Sequence, residues 1–481
     1  MQEMKGRKEM GNTQKMETRQ QGGGRQQKLI RDLTTGSVPG TLLSFAMPLF
    51  LSGLLQTVYN MVDMIVVGRF VGPEGLAAVS IGGEILMLLT FIAMGFSNAG
   101  QILITRYVGE ERIDLVGEMV GTLFTLLMSC AAGMMVICGL LHHRMLLWIN
   151  TPAESFGMTR EYVLTCIAGL LFIYGYNLVS AILRGMGDSR HPFQFIAIAS
   201  VMNLILDLVF VAGMGLGPFG AALGTVIGQA ASFLFAIRLL YRNRAQFHFD
   251  FRRESFRLYP KVLPPLLSLG IPMVIQSAAI NFSMLFVNSY INTYGVTAVA
   301  VTGIARKLES ILNIISQAVS SAGGAMIAQA LGRGKVRRVP KVVLTALWVV
   351  AIPASVLALI TVFHPEWLFG LFSNDSAVLR MALTYIPVAL VQYTGSVLRP
   401  ASFALINGSG NSRLNLAVAL LDGIVCRIGL SLILGVSFAM GIRGFWYGNA
   451  FSGWIPFLIG SVYLLSGRWK SRASVPGREE K

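Results

Sequence analysis

Three observations predict an all-α integral membrane protein of twelve transmembrane helices in two six-helix bundles. The 481 residues are 54% hydrophobic and only 13% charged, where soluble domains carry about 25% charged residues. The apolar residues fall into twelve blocks, each near the ~20 residues that cross a bilayer. An internal repeat divides these blocks into halves. Ser97-Asn98-Ala99-Gly100 returns as Ser320-Ser321-Ala322-Gly323. Gly185-Met186-Gly187-Asp188-Ser189-Arg190 returns as Gly408-Ser409-Gly410-Asn411-Ser412-Arg413, and both steps are 223 residues. Six crossings per half is an even number, so the halves share one orientation and a pseudo-twofold axis runs along the membrane normal.

Residues 1–39 are polar, basic and rich in glycine and glutamine. They lack the apolar core of a signal peptide and read as a disordered cytoplasmic tail. The first lobe, 40–241, holds apolar segments near 40–68, 74–103, 114–141, 156–183, 192–213 and 219–241. A basic cytoplasmic linker covers 242–262. The second lobe, 263–466, holds segments near 263–290, 296–330, 341–363, 377–405, 412–438 and 443–466, and 467–481 is a second cytoplasmic tail. Helices are required because backbone polar groups in lipid must be satisfied within the segment. Pro48 with Pro272, and Gly217, Gly220 and Gly224 with Gly441, Gly444 and Gly448, extend the repeat at a step of 224.

Basic residues fix the orientation. They crowd the N-terminal tail, the linker, the connection after the eighth segment (Arg333, Lys335, Arg337, Arg338, Lys341) and the C-terminal tail. The alternate connections hold only Arg69, Arg144, Arg160 and Arg443. The positive-inside rule then places both termini in the cytoplasm of a multi-pass protein of the cell (inner) membrane. The net charge of +16 therefore reports topology, and no nucleic-acid partner is expected. Cys130, Cys138, Cys166 and Cys426 lie in apolar blocks without metal-ligand or disulfide spacing. No Cys/His or Ser/His constellation has supporting spacing, so the chain reads as a non-enzyme. The Gly-x-Gly-Asp-Ser-Arg run reads as a structural turn, with glycine ending one helix and Asp or Ser capping the next.

Acids inside apolar segments cost about 2.5–3.5 kcal/mol each on insertion scales and need a reason. Five stand out: Asp63, Glu84, Asp207, Glu309 and Asp422. Gln56, Tyr59, Asn60 and Asp63 lie on one face of the first helix, and Asn203 and Asp207 on one face of the fifth. At about 1.5 Å per residue, Asp63, Asp207 and Thr225 sit at one depth, roughly 8–9 Å below the outer surface. Two carboxylates, an amide, a hydroxyl and a phenol at one level suit a Na⁺ site formed by Asp63, Asn203, Asp207 and Thr225, or a proton relay. The second half lacks both acids: the positions 223 and 224 after Asp207 are Leu430 and Ser431, and those after Asn203 are Cys426 and Arg427. Arg306 with Glu309, beside Lys307, and Asp422 with Arg427 are candidate charge pairs of the second lobe. Glu84 has no assigned place.

These residues resemble the multidrug and toxic compound extrusion (MATE) family. The carriers are Pro48, Tyr59-Asn60-Met61-Val62-Asp63, Gly68-Arg69, Leu76-Ala77-Ala78, and Leu183 through Phe193. The resemblance spans roughly 35–465. It implies a V-shaped, two-lobed antiporter that exports small organic, often cationic, compounds in exchange for Na⁺ or H⁺, without a cofactor. Asp63, Asn203, Asp207 and Thr225 match the first-lobe site of the branch of DNA-damage-inducible and archaeal members. Tyr59, Gln56, Tyr162 and Asn177 would lie nearby, with Gln56, Asn60, Tyr162 and Asn177 lining the substrate cavity. Another branch carries acids on helices seven and ten, which this chain lacks. The alternative within the same superfamily is a flippase for lipid-linked saccharides, for which Arg306, Lys307 and Arg427 speak. A monomer with a small-molecule substrate, embedded in lipid, is expected.

Overall fold

The computed structural model describes residues 29–473. Every regular element among them is helical. The first lobe consists of α1 (Val38–Phe70), α2 (Pro73–Gly109), α3 (Ile113–Trp148), α4 (Phe156–Ala168 and Leu170–Gly185), α5 (Arg190–Gly213) and α6 (Gly217–Arg242). The second consists of α7 (Leu263–Asn292), α8 (Val296–Gly332), α9 (Val339–Phe363), α10 (Ser376–Gly408), α11 (Ser412–Ser437) and α12 (Ile442–Ser466). Eleven of these are long and apolar enough to span a membrane singly, and the α4 pair, bent by 49°, makes the twelfth. That bend falls at Gly169, where a Cβ would sit 2.4 Å from Val226 of α6. The expected segments are thus recovered, with α2 and α3 reaching six and seven residues farther at their C-terminal ends, to Gly109 and Trp148.

The repeat motifs cap helices as expected. Gly187 has φ of 91° and Gly410 of 66°, the left-handed region that glycine enters without strain. Asp188 Oδ1 accepts from the N–H groups of Arg190 and His191 at 3.0 and 3.2 Å, and Asn411 Oδ1 accepts from Leu414 at 3.2 Å. Each motif turns the chain and starts the fifth helix of its lobe.

The lobes meet reciprocally. Helix α1 packs on α8 and α7 packs on α2, while α2 and α8 cross each other on the axis. A Cβ on Gly109 would lie 2.5 Å from the Gln329 carbonyl oxygen, and one on Gly332 would lie 2.5 Å from that of Arg106. Only glycine lets these backbones touch. Farther along the same interface, Arg184 Nε donates to Gln101 Oε1 at 2.8 Å, and Gln101 Nε2 donates to Ser321 Oγ at 3.0 Å. These contacts fall in the half of the molecule that carries the basic connections.

The N-terminal segment differs from expectation. Of the expected disordered tail 1–39, residues 1–28 lie outside the described residues, but 29–37 form a packed strap and the helix begins at Val38. Leu29 and Leu33 are buried, and burying these apolar side chains holds the segment down. Arg31 N–H donates to the Met186 carbonyl at 2.8 Å and Leu29 N–H to Gln246 Oε1 at 2.8 Å, both in the first lobe or its linker. Leu33 N–H donates to Gln329 Oε1 of α8 at 2.6 Å, and Asp32 pairs with Arg333 at 2.5 Å. The strap therefore ties both lobes. The linker also packs: Phe249, Phe251 and Phe256 close on Phe124 of α3. In the C-terminal tail, Trp469 is buried and its Nε1 donates to the Leu464 carbonyl at 2.9 Å, while 474–481 lie outside the described residues.

Candidate ion-coupling site

Three helices of the first lobe build the site. Asp63 comes from α1, Asn203 and Asp207 from α5, and Thr225 from α6. Asp63, Asn203 and Asp207 are 5%, 3% and 0% exposed, a depth at which a charge without a partner is costly. The carboxyls of Asp63 and Asp207 face each other within hydrogen-bond reach. The Asn203 amide is oriented by its neighbours. Its nitrogen donates to Asp63 Oδ1 at 2.7 Å, and its oxygen accepts from Thr225 N–H and Oγ1, each at 3.2 Å. Neither oxygen of Asp207 receives a bond from a fixed donor among the described residues, and no basic side chain pairs with either acid. Two carboxylates so placed cannot both stay ionised without a proton or a cation between them.

Glycine lets α6 approach. Gly220, Gly224 and Gly228 form one stripe against α5, the small-residue packing that membrane helices use. A Cβ on Gly224 would lie 2.8 Å from Asp207 Oδ1, and one on Gly228 would lie 3.1 Å from the Ala199 carbonyl oxygen. Directly after Asp207 the helix widens to a π-helix over Leu208–Gly213, an irregularity that recurs at functional sites. Tyr59, Asn203, Thr225 and Gln229 line a cavity of about 10 Å³, about the space of one water.

The remaining first-lobe candidates separate. Gln56 lies beside Tyr59 on α1. The Tyr162 ring packs over Gly82, where a Cβ would come within 2.3 Å, and the residue lies beside Tyr59, Cys166 and Asp63. Asn60 is exposed on α1. Asn177 is not part of the cluster: its Nδ2 donates to the Ile173 carbonyl of its own helix at 2.8 Å. Glu84 is exposed on α2. Sequence reasoning missed Gln229 and Tyr176, which lies beside Tyr59; both are uncharged and carry no insertion penalty large enough to mark them.

The second lobe repeats the scaffold with different chemistry. The residues 224 positions after Asn203, Asp207, Gly224 and Thr225 are Arg427, Ser431, Gly448 and Asn449. A Cβ on Gly448 would lie 2.4 Å from Ser431, and Arg427 Nη1 donates to Asn449 Oδ1 at 2.5 Å. The helix and side-chain pairings of the first lobe thus recur, with a guanidinium in place of the Asn203 amide. Arg427 Nη2 also pairs with Asp422 Oδ1 at 3.1 Å. The other Asp422 oxygen pairs with Arg399, which sequence reasoning missed because basic residues were weighed only beside an acid of the same apolar segment, and 377–405 holds none. The expected pair of Arg306 and Glu309 is not formed. Arg306 donates instead to Asn288 Oδ1, and Lys307 is exposed.

Comparison with known proteins agrees with this architecture. The MatE family model matches residues 48–209 and 272–433, once in each lobe. The probable multidrug resistance protein YoeA of Bacillus subtilis is 28% identical over 362 residues, 74% of this chain and 78% of that protein. YpnP of the same organism, also a probable multidrug resistance protein, is 27% identical over 317 residues, 64% of this chain and 68% of that protein. The outward-facing structure of a multidrug resistance MATE transporter of the MOP superfamily aligns with a TM-score of 0.84 at 21% identity. It covers 93% of this chain and 99% of that one.

Proposed function

The chain belongs to the MatE family of membrane transporters, and on that premise we propose that it is a secondary active antiporter of the cell membrane. It exports small organic, cationic or lipophilic compounds in exchange for Na⁺ or H⁺. The observation that carries this reading is the Asp63–Asp207 pair, buried within one lobe and without a basic partner. An ion or proton entering there would draw α1, α5 and α6 together and reshape the first-lobe cavity. Asn203 and Thr225 supply neutral oxygens, and Tyr59 and Gln56 border the entrance. Driving energy suffices: one charge crossing 100 mV provides about 2.3 kcal/mol before any concentration gradient. In this reading both termini lie in the cytoplasm, and the lobes close on the cytoplasmic half. Purified protein in liposomes, given Na⁺ and pH gradients separately, tests the reading. Cation-dye movement driven by one gradient supports it, and movement that ignores both refutes it.

A second reading rests on the second lobe. Arg399 and Arg427 exceed Asp422 by one charge, and the Nε of each arginine lacks an acceptor. That surplus favours an anionic cargo of the kind a flippase for lipid-linked saccharides moves. Movement of anionic lipid-linked substrates, with no effect on cations, would favour it.

A further inference from the structure

A groove on the side of the basic connections lies far from the paired acids. It measures about 960 Å³ and runs between the strap and the start of α9. Thr34, Gly36, Ser37, Val38 and Pro39 form one wall, and the α8–α9 connection with the first turns of α9 forms the other. Lys335, Arg337, Arg338 and Lys341 all line it, and no acidic residue does.

None of these four cations pairs with a carboxylate among the described residues. Lys335 Nζ donates to Thr34 Oγ1 and to the Thr34 carbonyl at 2.9 and 3.3 Å. Arg338 donates to the carbonyls of Gly36, Thr35 and Leu33 at 3.0, 3.0 and 3.3 Å, and its buried Nε has no acceptor. The acid nearest in the chain, Asp32, is taken by Arg333. Arg337 and Lys341 are exposed and pair with no carboxylate among the described residues. The N-terminus of α9 adds its partial positive charge at the same place.

Val38, Pro39, Val336 and Leu344 add apolar surface to the groove, and Leu344 is 57% exposed on the flank of α9. Both α1 and α9 start here, at the end of the molecule with the basic connections, which is headgroup level once these helices span a bilayer. Basic pockets at this level between membrane helices suit anionic lipid headgroups. A free phosphate would use the cations and leave the apolar wall idle.

We propose that this groove is a binding site for the phosphate headgroup of an anionic phospholipid, with the first part of an acyl chain lying along Leu344. Because the strap forms its inner wall and also bonds both lobes, an occupied site holds the strap in place.

Native mass spectrometry of the detergent-purified full chain, titrated with phosphatidylglycerol, tests this. One saturable lipid is expected on the wild type. The R337Q/K341Q variant, altered only at exposed positions, should bind it about 30-fold more weakly, from about 1 kcal/mol per basic residue and about 1.4 kcal/mol per decade. An R242Q/R253Q variant removes two exposed charges from the other basic stretch and should bind like the wild type. Phosphatidylcholine and inorganic phosphate should not displace the lipid. The proposal is overturned if R242Q/R253Q weakens binding as much, since the attraction would then be diffuse. Displacement by equal phosphatidylcholine, or by inorganic phosphate, would overturn it as well.

Discussion

Replacing Asp207 with Asn should produce a protein that is more stable and unable to couple. In the wild type both Asp207 oxygens are buried without a fixed donor and face the Asp63 carboxyl. A buried unsatisfied polar group costs about 1–3 kcal/mol. The Asn amide is nearly isosteric, carries no charge and can donate to Asp63, so this cost is relieved. For a lobe of roughly 200 residues, each kcal/mol moves the melting temperature by about 2–4 °C, and the variant should melt several degrees higher in alkaline, Na⁺-free buffer. The wild type should gain stability on adding the coupling ion, by about 2.7 kcal/mol at a hundred times its dissociation constant. The variant should gain little. Fluorescence-detected melting across Na⁺ and pH series measures this, and gradient-driven dye export in liposomes measures coupling. A well-folded Asp207→Asn protein that exports at the wild-type rate, or that melts lower than the wild type in Na⁺-free alkaline buffer, would refute the reasoning and move suspicion to Glu309 and Asp422.

Gly224→Ala places a Cβ 2.8 Å from Asp207 Oδ1, short of ordinary contact at 3.4 Å. The added Cβ should turn the Asp207 carboxylate away or push α6 off α5, disturb the neighbouring Asn203–Thr225 contacts and abolish coupled export, whereas Gly83→Ala, which meets nothing within 4 Å, should export normally. Asp422→Asn leaves Arg427 buried without its counter-charge; at about 3–5 kcal/mol for a broken buried pair, the yield of monodisperse protein on size-exclusion chromatography should fall sharply. Partial burial pulls the Asp32 carboxyl upward, but the Thr34 hydrogen bonds and the Arg333 charge outweigh it and hold the group below its ordinary value. Its contribution is therefore present above the ordinary carboxylate pKa and fades only as pH falls through the lowered one. Hydrogen exchange at the Leu33 amide should stay slow down to about pH 4, and Asp32→Asn should make it fast throughout.

The membrane helices, the repeat and the acids of the first lobe were legible because each leaves a strong local mark. A carboxylate among apolar residues stands out in any window, and Asp63, Asn203 and Asp207 share helical faces through simple spacing. Thr225 was reached only through depth and resemblance. The strap was not legible, since 29–37 looks polar and only Leu29 and Leu33 report that it packs. Its partners Met186, Gln246, Gln329 and Arg333 lie far away in the chain, so no window contains them. Arg399 was legible in principle, because a guanidinium in an apolar segment carries the same insertion cost as an acid. The expected Arg306–Glu309 pair rested on spacing alone, and the helix instead turns Arg306 to Asn288 on α7.

The two lobes separate what packing demands from what charge permits. Gly224 stands against Asp207 and Gly448 against Ser431, with Cβ clearances of 2.8 and 2.4 Å, and Gly220 and Gly444 press on Phe210 and Leu434 with 2.9 and 2.4 Å. At Gly444 and Gly448 the atoms met are backbone and at Gly220 a Cβ, so no side chain fits there without moving a helix, while at Gly224 a side chain would displace the Asp207 carboxylate. The side chains facing the gap between the fifth and sixth helices have no such constraint, provided the local charge closes. In the first lobe Asp63, Asn203, Asp207 and Thr225 leave an excess of negative charge that only a mobile proton or cation can balance. In the second lobe Arg427 occupies the place of Asn203, with Asn449 in that of Thr225, and Asp422 and Arg399 complete a cluster whose cations are covalently part of the chain. A site that must acquire its cation from solution responds to a gradient, and a site that already contains one does not. The proposed coupling site would then be confined to the first lobe, and this part of the proposal has a test independent of Asp207. Arg427→Asn together with Asn449→Thr restores the first-lobe pairing in the second lobe but supplies no acid at Ser431. Provided the double variant folds, its dependence on the coupling ion should remain that of a single site, measured as the Hill slope of ion-driven export. A slope that rose with these two substitutions would refute the one-lobe assignment.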